Sequence, residues 1–141
     1  MATDVQSETL PRRPVESDEG QRDEWVAAVE QVVSDAEAWA TEQHWSVHRG
    51  PKTISEHRLG TYDVPALLIR APAGRFVLDP ITRDVVGALG VIDFCVFPSY
   101  GSVRIVRTDA GWQIETNPKT IGRPWSKPTF FEVISELAGK A

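Results

Sequence analysis

The sequence predicts an α+β fold, with an antiparallel β-meander of about five to seven strands flanked by an N-terminal and a C-terminal helix. Between Tyr62 and Glu115, short apolar runs alternate with Gly, Pro and Asp, as successive strands and turns do. Helical apolar periodicity precedes this stretch and follows it. Because sequential strands joined by short loops pair as antiparallel neighbours, we expect the strands to form a meander.

The length and the cysteine content set the broad class. A chain of 141 residues is long enough for one domain with its own core. The single cysteine, Cys95, excludes an intrachain disulfide and a cysteine metal cluster. Residues 1–20 have almost no large apolar side chain, which predicts neither a signal peptide nor a membrane anchor. We therefore expect a disordered acidic tail at 1–20, a single α+β domain at 21–141 and a cytoplasmic location.

Charge is distributed unevenly along the chain. Residues 1–42 hold eleven Asp and Glu against three Arg, a balance of −8, whereas residues 43–141 have a balance of +3. A body with so small an excess of basic residues is far from a typical nucleic-acid-binding domain. We expect solvated surfaces on both parts, and a nucleic-acid partner is not predicted.

Two helices are predicted from apolar stripes. From Asp23 to about His44 there is no Pro or Gly, and apolar residues recur every three or four positions. That stripe consists of Trp25, Val29, Val32, Ala36 and Trp39. A second helix is predicted at 129–139, where Thr129 and Glu132 have the spacing of a capping box. Its inward residues would be Phe130, Ile134 and Leu137.

Strands and turns account for the residues between the helices. Gly50-Pro51 predicts a turn between two strands, and Asp109-Ala110-Gly111 predicts a hairpin. Pro65 predicts an edge position or a bulge, because proline cannot donate to the ladder. A loop is predicted at 117–128. The predicted strands are 45–49, 52–58, 62–70, 74–80, 83–86, 90–97, 102–107 and 111–115.

Three carboxylates are the candidate catalytic residues. Asp79 and Asp93 each interrupt an apolar strand, so each needs a partner or an edge position. Neighbouring strands would bring them together, and Glu56 would be the third member of the set. Carboxylates at a sheet edge hold Mg²⁺ in phosphodiester hydrolases. The structural alternative is that Asp79-Pro80 opens a turn and that Asp93 pairs with an arginine, Arg83 or Arg104.

The order of these acids resembles in part the pattern of the PD-(D/E)xK nucleases. In that pattern an acid ends one strand, and an acid, any residue and a lysine follow on the next. Here Asp79 and Asp93 stand in the right order, but Cys95 occupies the position of the lysine. Asp79 also precedes Pro80 instead of following a proline. The sequence is therefore not assigned to that family.

Aromatic and arginine residues of the meander are the candidate binding residues, because Tyr, Trp and Arg are enriched at interfaces. The candidates are Tyr100, Arg104, Arg107, Trp112 and Trp125. Arg104 and Arg107 have opposite parity, so a regular strand would point them to opposite faces. The alternative role of the three aromatic residues is to close the edge of the core.

The function predicted from the sequence is a small non-enzymatic binding or adaptor domain that uses the surface or the edge of its sheet. We expect a protein partner, a homo-oligomer being one form of it, and we expect no cofactor, metal or membrane. One alternative is a divalent-metal-dependent hydrolase or nuclease using Glu56, Asp79 and Asp93. The second is a small-ligand site between sheet and helices, lined by tryptophans.

Overall fold

The computed structural model describes residues 17–115 and 122–141. Within these residues seven strands form one antiparallel sheet in sequential order, with a helix before and a helix after it. The predicted α+β meander with two flanking helices is therefore confirmed. The elements are α1 Asp18–Glu42, β1 Ser46–Glu56, β2 Gly60–Ala71, β3 Gly74–Thr82, β4 Val91–Phe97, β5 Ser102–Thr108, β6 Gly111–Ile114, β7 Arg123–Pro124 and α2 Lys127–Ala138.

Helix α1 begins at Asp18 because Ser17 caps it. The Ser17 hydroxyl accepts a hydrogen bond from the Gly20 N–H at 2.9 Å, which satisfies one of the free donors of the first turn. The helix thus begins before the predicted Asp23 and includes the last residues of the predicted tail. Residues 1–16 of that tail lie outside the described residues. The buried face of α1 consists of Trp25, Val29, Val32, Val33, Ala36 and Ala40.

Gly50 and Pro51 do not form the predicted turn. They lie inside β1 and pair with Ala66 and Pro65 of β2. Two prolines that face each other must form a non-hydrogen-bonded pair, because neither has an N–H to donate. The missing N–H of Pro51 therefore falls on the outer side of β1, the edge strand of the sheet. A Gly-Pro step can continue a strand at a position where the ladder needs no N–H donor. This is why the strand runs on where the sequence predicted a turn.

The two halves of β2 have different neighbours. Only the half that begins at Leu67 pairs with β3, whereas the first half pairs with β1 alone among the described strands. The alternation of buried residues skips one position at Pro65–Ala66, so that Tyr62 and Val64 are buried as well as Leu67 and Ile69. Pro65 lies in the half of β2 that has no partner from β3, which is the edge position that the sequence predicted, and its register with β1 is unbroken.

The other strand predictions need two corrections. Residues 83–86 form no strand, because Val85 and Ala88 make only a single bridge within the β3–β4 connection. Part of the predicted loop at 117–128 is strand β7, which pairs with Gln113 and Ile114 of β6. Residues 117–121 of that loop lie outside the described residues. The hairpin at Asp109–Ala110 is confirmed, since Thr108 pairs with Gly111.

Helix α2 begins at Lys127, and its cap is Ser126 instead of the predicted Thr129. The Ser126 hydroxyl accepts a hydrogen bond from the Thr129 N–H at 3.4 Å, and the Thr129 hydroxyl accepts one from the Ser126 N–H at 2.9 Å. Thr129 thus completes the capping box from its third position, where Glu or Gln is more usual. The predicted inward residues Phe130, Ile134 and Leu137 are buried, together with Val133.

Both helices pack on one face of the sheet. Phe130 of α2 stacks on Phe94 of β4 at 5.8 Å between ring centroids, and Trp39 of α1 lies 5.5 Å from the same Phe130 ring. One hydrophobic cluster joins both helices to the inward residues of the sheet. No helix within the described residues is long and apolar enough to cross a membrane. Because both helices lie on the same side, the opposite face of the sheet has no helical layer from residues 17–115 and 122–141.

Candidate functional site

The uncovered face is the surface formed by the outward side chains of β2 to β5. Cross-strand partners share a face, so the register arranges these side chains in three rows. The basic row contains Arg70, Arg75 and Phe97, and the apolar row contains Leu68, Val77 and Cys95. The acidic row contains Asp79, Asp93 and Arg104. The apolar side chains of this face are half-buried, and basic and acidic groups border them on opposite sides.

The acidic row brings together two of the three candidate catalytic carboxylates. Asp79 and Asp93 are direct cross-strand partners, as predicted for adjacent strands. Each has a cation beside it: Lys52 Nζ lies 2.5 Å from Asp79 Oδ1, and Arg104 Nε lies 3.4 Å from Asp93 Oδ1. The pairing of Asp93 with Arg104 is one of the structural alternatives that the sequence predicted.

Lys52 is a residue that the sequence analysis missed. Its ammonium group also donates to the carbonyl oxygen of Pro80 at 2.7 Å. Pro80 belongs to the part of β3 that has no partner from β2, so this side chain replaces a ladder hydrogen bond. The local sequence Gly50-Pro51-Lys52 contains no signal for this contact, because it depends on β1 reaching β3 past the first half of β2.

Glu56 does not belong to that pair. Its hydrogen bonds connect the end of β1 to the end of β3. Its carboxylate accepts hydrogen bonds from the Thr82 hydroxyl at 2.6 Å, the Asp84 N–H at 2.9 Å and the Arg83 N–H at 3.2 Å. The Tyr62 hydroxyl donates to it as well. Burial alone would raise the pKa of this carboxyl, but the four hydrogen bonds outweigh it and hold the pKa below its ordinary value of 4.5.

We expect Glu56→Gln to lower the free energy of unfolding by about 2 kcal/mol at pH 7, because hydrogen bonds to a charged acceptor are the stronger ones. The depressed pKa means that the carboxylate stabilises the fold fully above pH 4.5, and that this contribution is lost as pH falls through the folded-state pKa. Urea unfolding of the variant and the wild type should therefore differ less below pH 4.5. Glu115→Gln, at an exposed carboxylate, is the control. A difference that does not change with pH would contradict this role.

The candidate hydrolase set stays a prediction. The contacts divide it into an Asp79–Asp93 pair with its two cations and a Glu56 that is bonded to backbone N–H groups. Within residues 17–115 and 122–141, no group of three or more His, Cys, Asp and Glu side chains is placed to hold a metal ion.

Cys95 lies at the β4 end of the apolar row, beside Val77. Burial raises the pKa of its thiol, and the nearby carboxylates Asp93 and Asp79 raise it further. The side chain is therefore a thiol at neutral pH, and a thiol is a poor nucleophile. Cys95 thus behaves as a small apolar residue of the uncovered face.

The five candidate binding residues do not share a surface. Arg107 forms an ion pair with Glu24 of α1 at 3.5 Å, and Trp112 lies 5.9 Å from the Trp25 ring, so both are on the helix-covered side. Trp125 donates to Asp35 of α1 at 3.2 Å and lies against Trp39. The two tryptophans close the edge of the core, which is their predicted alternative role.

The remaining two candidates border the uncovered face. Arg104 belongs to the acidic row, which confirms that it and Arg107 point to opposite sides of β5. Tyr100 lies in the β4–β5 turn with 69% of its surface exposed, and its ring is 4.9 Å from that of Phe97 in the basic row.

Two hollows lie beside α1, where the β1–β2 hairpin approaches the helix. Their volumes are about 580 and 380 Å³, and they share Val26, Glu30 and Asp63. Both are open and shallow, and no tryptophan lines either of them. The tryptophan-lined ligand site between sheet and helices stays a prediction to which these two hollows add no support.

Comparisons with known proteins found no match among family models, curated proteins or solved structures.

Proposed function

We propose that this domain is a non-enzymatic binding or adaptor module that contacts a protein partner through the uncovered face of its sheet. The observation that carries the proposal is the one-sided packing of the helices. Phe94 and Phe130 belong to a closed core on one side, whereas on the other side no helix or strand of the described residues covers Leu68, Val77 and Cys95. An apolar patch rimmed by charged residues is typical of a protein interaction surface.

The edges of the sheet are less suitable for binding than its face. A strand added to β1 would meet Pro51, whose missing N–H falls on that outer side. The opposite edge is β7, which has only two residues, Arg123 and Pro124. Proline and short edge strands both oppose strand addition. We therefore place the partner on the face, although the sequence alone left face and edge as equal alternatives.

The partner should be captured by a photo-cross-linking residue at Val77. We expect irradiation in the native host to give one recurrent covalent product, identified by mass spectrometry, because Val77 lies in the centre of the apolar row. The matched control places the same residue at Ser135, which is exposed on α2. The control should give no such product.

Self-association is measured in parallel by sedimentation of the full chain at tens of micromolar. A dimer that Val77→Glu dissociates would mean that the protein partner is a second copy. The proposal is wrong if Val77 gives only the products seen at Ser135 and the chain is also monomeric at that concentration.

A further inference from the structure

The arginines of this domain divide into two groups by their partners. Nine arginines lie within the described residues, and seven of them are within ion-pair distance of a carboxylate. Among the residues that the structure describes, Arg70 and Arg75 are the two without such a partner. The chain has a net charge of −5, so two adjacent arginines without a carboxylate partner form a local positive patch on an acidic protein.

Arg70 and Arg75 are direct cross-strand partners at the end of the β2–β3 hairpin. Like charges placed opposite each other on one face destabilise a sheet. Both side chains are exposed, so the repulsion is screened but not removed. This pair lowers the stability of the free protein, and no carboxylate of the described residues compensates its charge. A bound anion would explain why such a pair is present.

Aromatic rings lie beside this pair. The Arg75 guanidinium lies 5.9 Å above the centre of the Phe97 ring, and the Tyr100 ring makes a T-shaped contact with the same ring. The stacking holds the Arg75 fork near the surface, where its N–H groups remain free to donate. The exposed Tyr100 adds an aromatic contact surface next to the two cations.

We propose that the basic row binds an acidic peptide segment of the protein partner, with Arg70 and Arg75 pairing its carboxylates and Phe97 and Tyr100 supporting the neighbouring chain. This inference rests on the proposed function, whose partner it specifies. Guanidinium groups match carboxylates in planar, bidentate hydrogen bonds.

A carboxylate-bearing peptide fits this face better than a nucleic acid does. The acidic row lies four residues from the basic row along β3, which is about 13 Å at the rise of a strand. The cations of the acidic row, Lys52 and Arg104, are already paired with Asp79 and Asp93, so this row offers no unpaired positive charge to an extended polyanion that crossed the face. A short acidic segment followed by apolar residues would instead place its carboxylates on the basic row and its apolar side chains on Leu68 and Val77.

The test measures binding of a fluorescein-labelled octaglutamate peptide to the full chain by fluorescence anisotropy at low salt. We expect Arg70→Gln/Arg75→Gln to weaken binding at least about tenfold, because each substitution removes a charge-assisted pair with a peptide carboxylate. The matched control, Arg22→Gln/Lys127→Gln, removes two positive charges from the helical side and should change affinity less than about twofold.

Arg70→Glu is a second variant, which keeps the test independent of folding. The new carboxylate would face Arg75 and pair with it, so this variant should abolish peptide binding and raise the thermal midpoint. The inference is overturned if Arg70→Glu binds octaglutamate as the wild type does. It is also overturned if oligo-dT of equal charge binds more tightly than octaglutamate in an Arg70-dependent way.

The experiments distinguish a failure of the proposed binding face from a failure of the acidic-segment inference. If Val77 cross-links a partner while octaglutamate binding does not depend on Arg70 and Arg75, the acidic-segment inference is wrong and the binding face stands. If octaglutamate binding depends on both arginines while Val77 captures nothing and the chain stays monomeric, the anion site stands and the proposed use of the apolar row is wrong.

Discussion

Gly90→Ala should destabilise the domain by about 3–5 kcal/mol, because two independent costs coincide at this position. A Cβ atom on Gly90 would lie 2.2 Å from Cζ3 of the Trp25 ring, far inside contact distance. Trp25 is fully buried and rests against Trp112, so its ring has no free space to move into. The φ angle of Gly90 is also +149°, which side chains rarely adopt.

Gly87→Ala separates the two costs. Gly87 has a φ angle of +84° but no atom within 4 Å of an added Cβ, so this variant carries the backbone cost alone. That cost is about 1–2 kcal/mol. Free energies of unfolding from urea titrations of both variants check the difference. If Gly90→Ala loses no more stability than Gly87→Ala, then Gly90 and Trp25 are not in the contact described above.

Phe130→Ala should cost about 3–5 kcal/mol, since it removes a large, fully buried ring from the meeting point of the two helices and the sheet. The ring contacts Trp39 of α1, Phe94 of β4 and Trp125 before α2. The cavity left by its removal would be bounded by rigid rings, which relax little. Urea unfolding measures the loss, and near-ultraviolet circular dichroism should report the changed environment of the tryptophans.

Phe131→Ala is the matched control for this variant. Phe131 has the same volume and the neighbouring position, but it is only partly buried and packs edge-on against Trp45. We expect it to cost clearly less, because less apolar surface leaves the core. An equal loss from both variants would mean that Phe130 does not hold the helices to the sheet.

Local patterns explain why the fold class could be predicted. The stripe from Trp25 to Trp39 and the stripe from Phe130 to Leu137 each specify a buried helical face without knowledge of the partner. The alternation between Tyr62 and Glu115 does the same for strands, and the Asp109–Ala110 hairpin follows from its turn residues. The errors lie where tertiary pairing overrides local preference. Gly50-Pro51 is a turn signal in isolation, but it continues a strand when Pro65 lies opposite it.

The candidate site could be predicted only in part. The meeting of Asp79 and Asp93 follows from the pairing of adjacent strands, so the sequence could anticipate it. The contact of Lys52 with Asp79 could not be anticipated, because it crosses from β1 to β3 where β2 turns away. The sequence pattern also gives no sign that Arg70 and Arg75 lack an ion-pair partner. Their isolation from carboxylates depends on where every acidic side chain of the fold lies.

The sequence by itself determined the class of this protein: two amphipathic helices and a meander of short strands, with one cysteine and no long apolar segment. Those properties depend on composition and on spacing along the chain, which are known without knowing which elements pack together. Only the tertiary structure decided that both helices cover the same face, that β1 runs through Pro51, and that Arg70 and Arg75 face each other without a carboxylate. These features depend on register and on the placement of layers, because interactions between distant residues select one arrangement among several that the local pattern allows equally well.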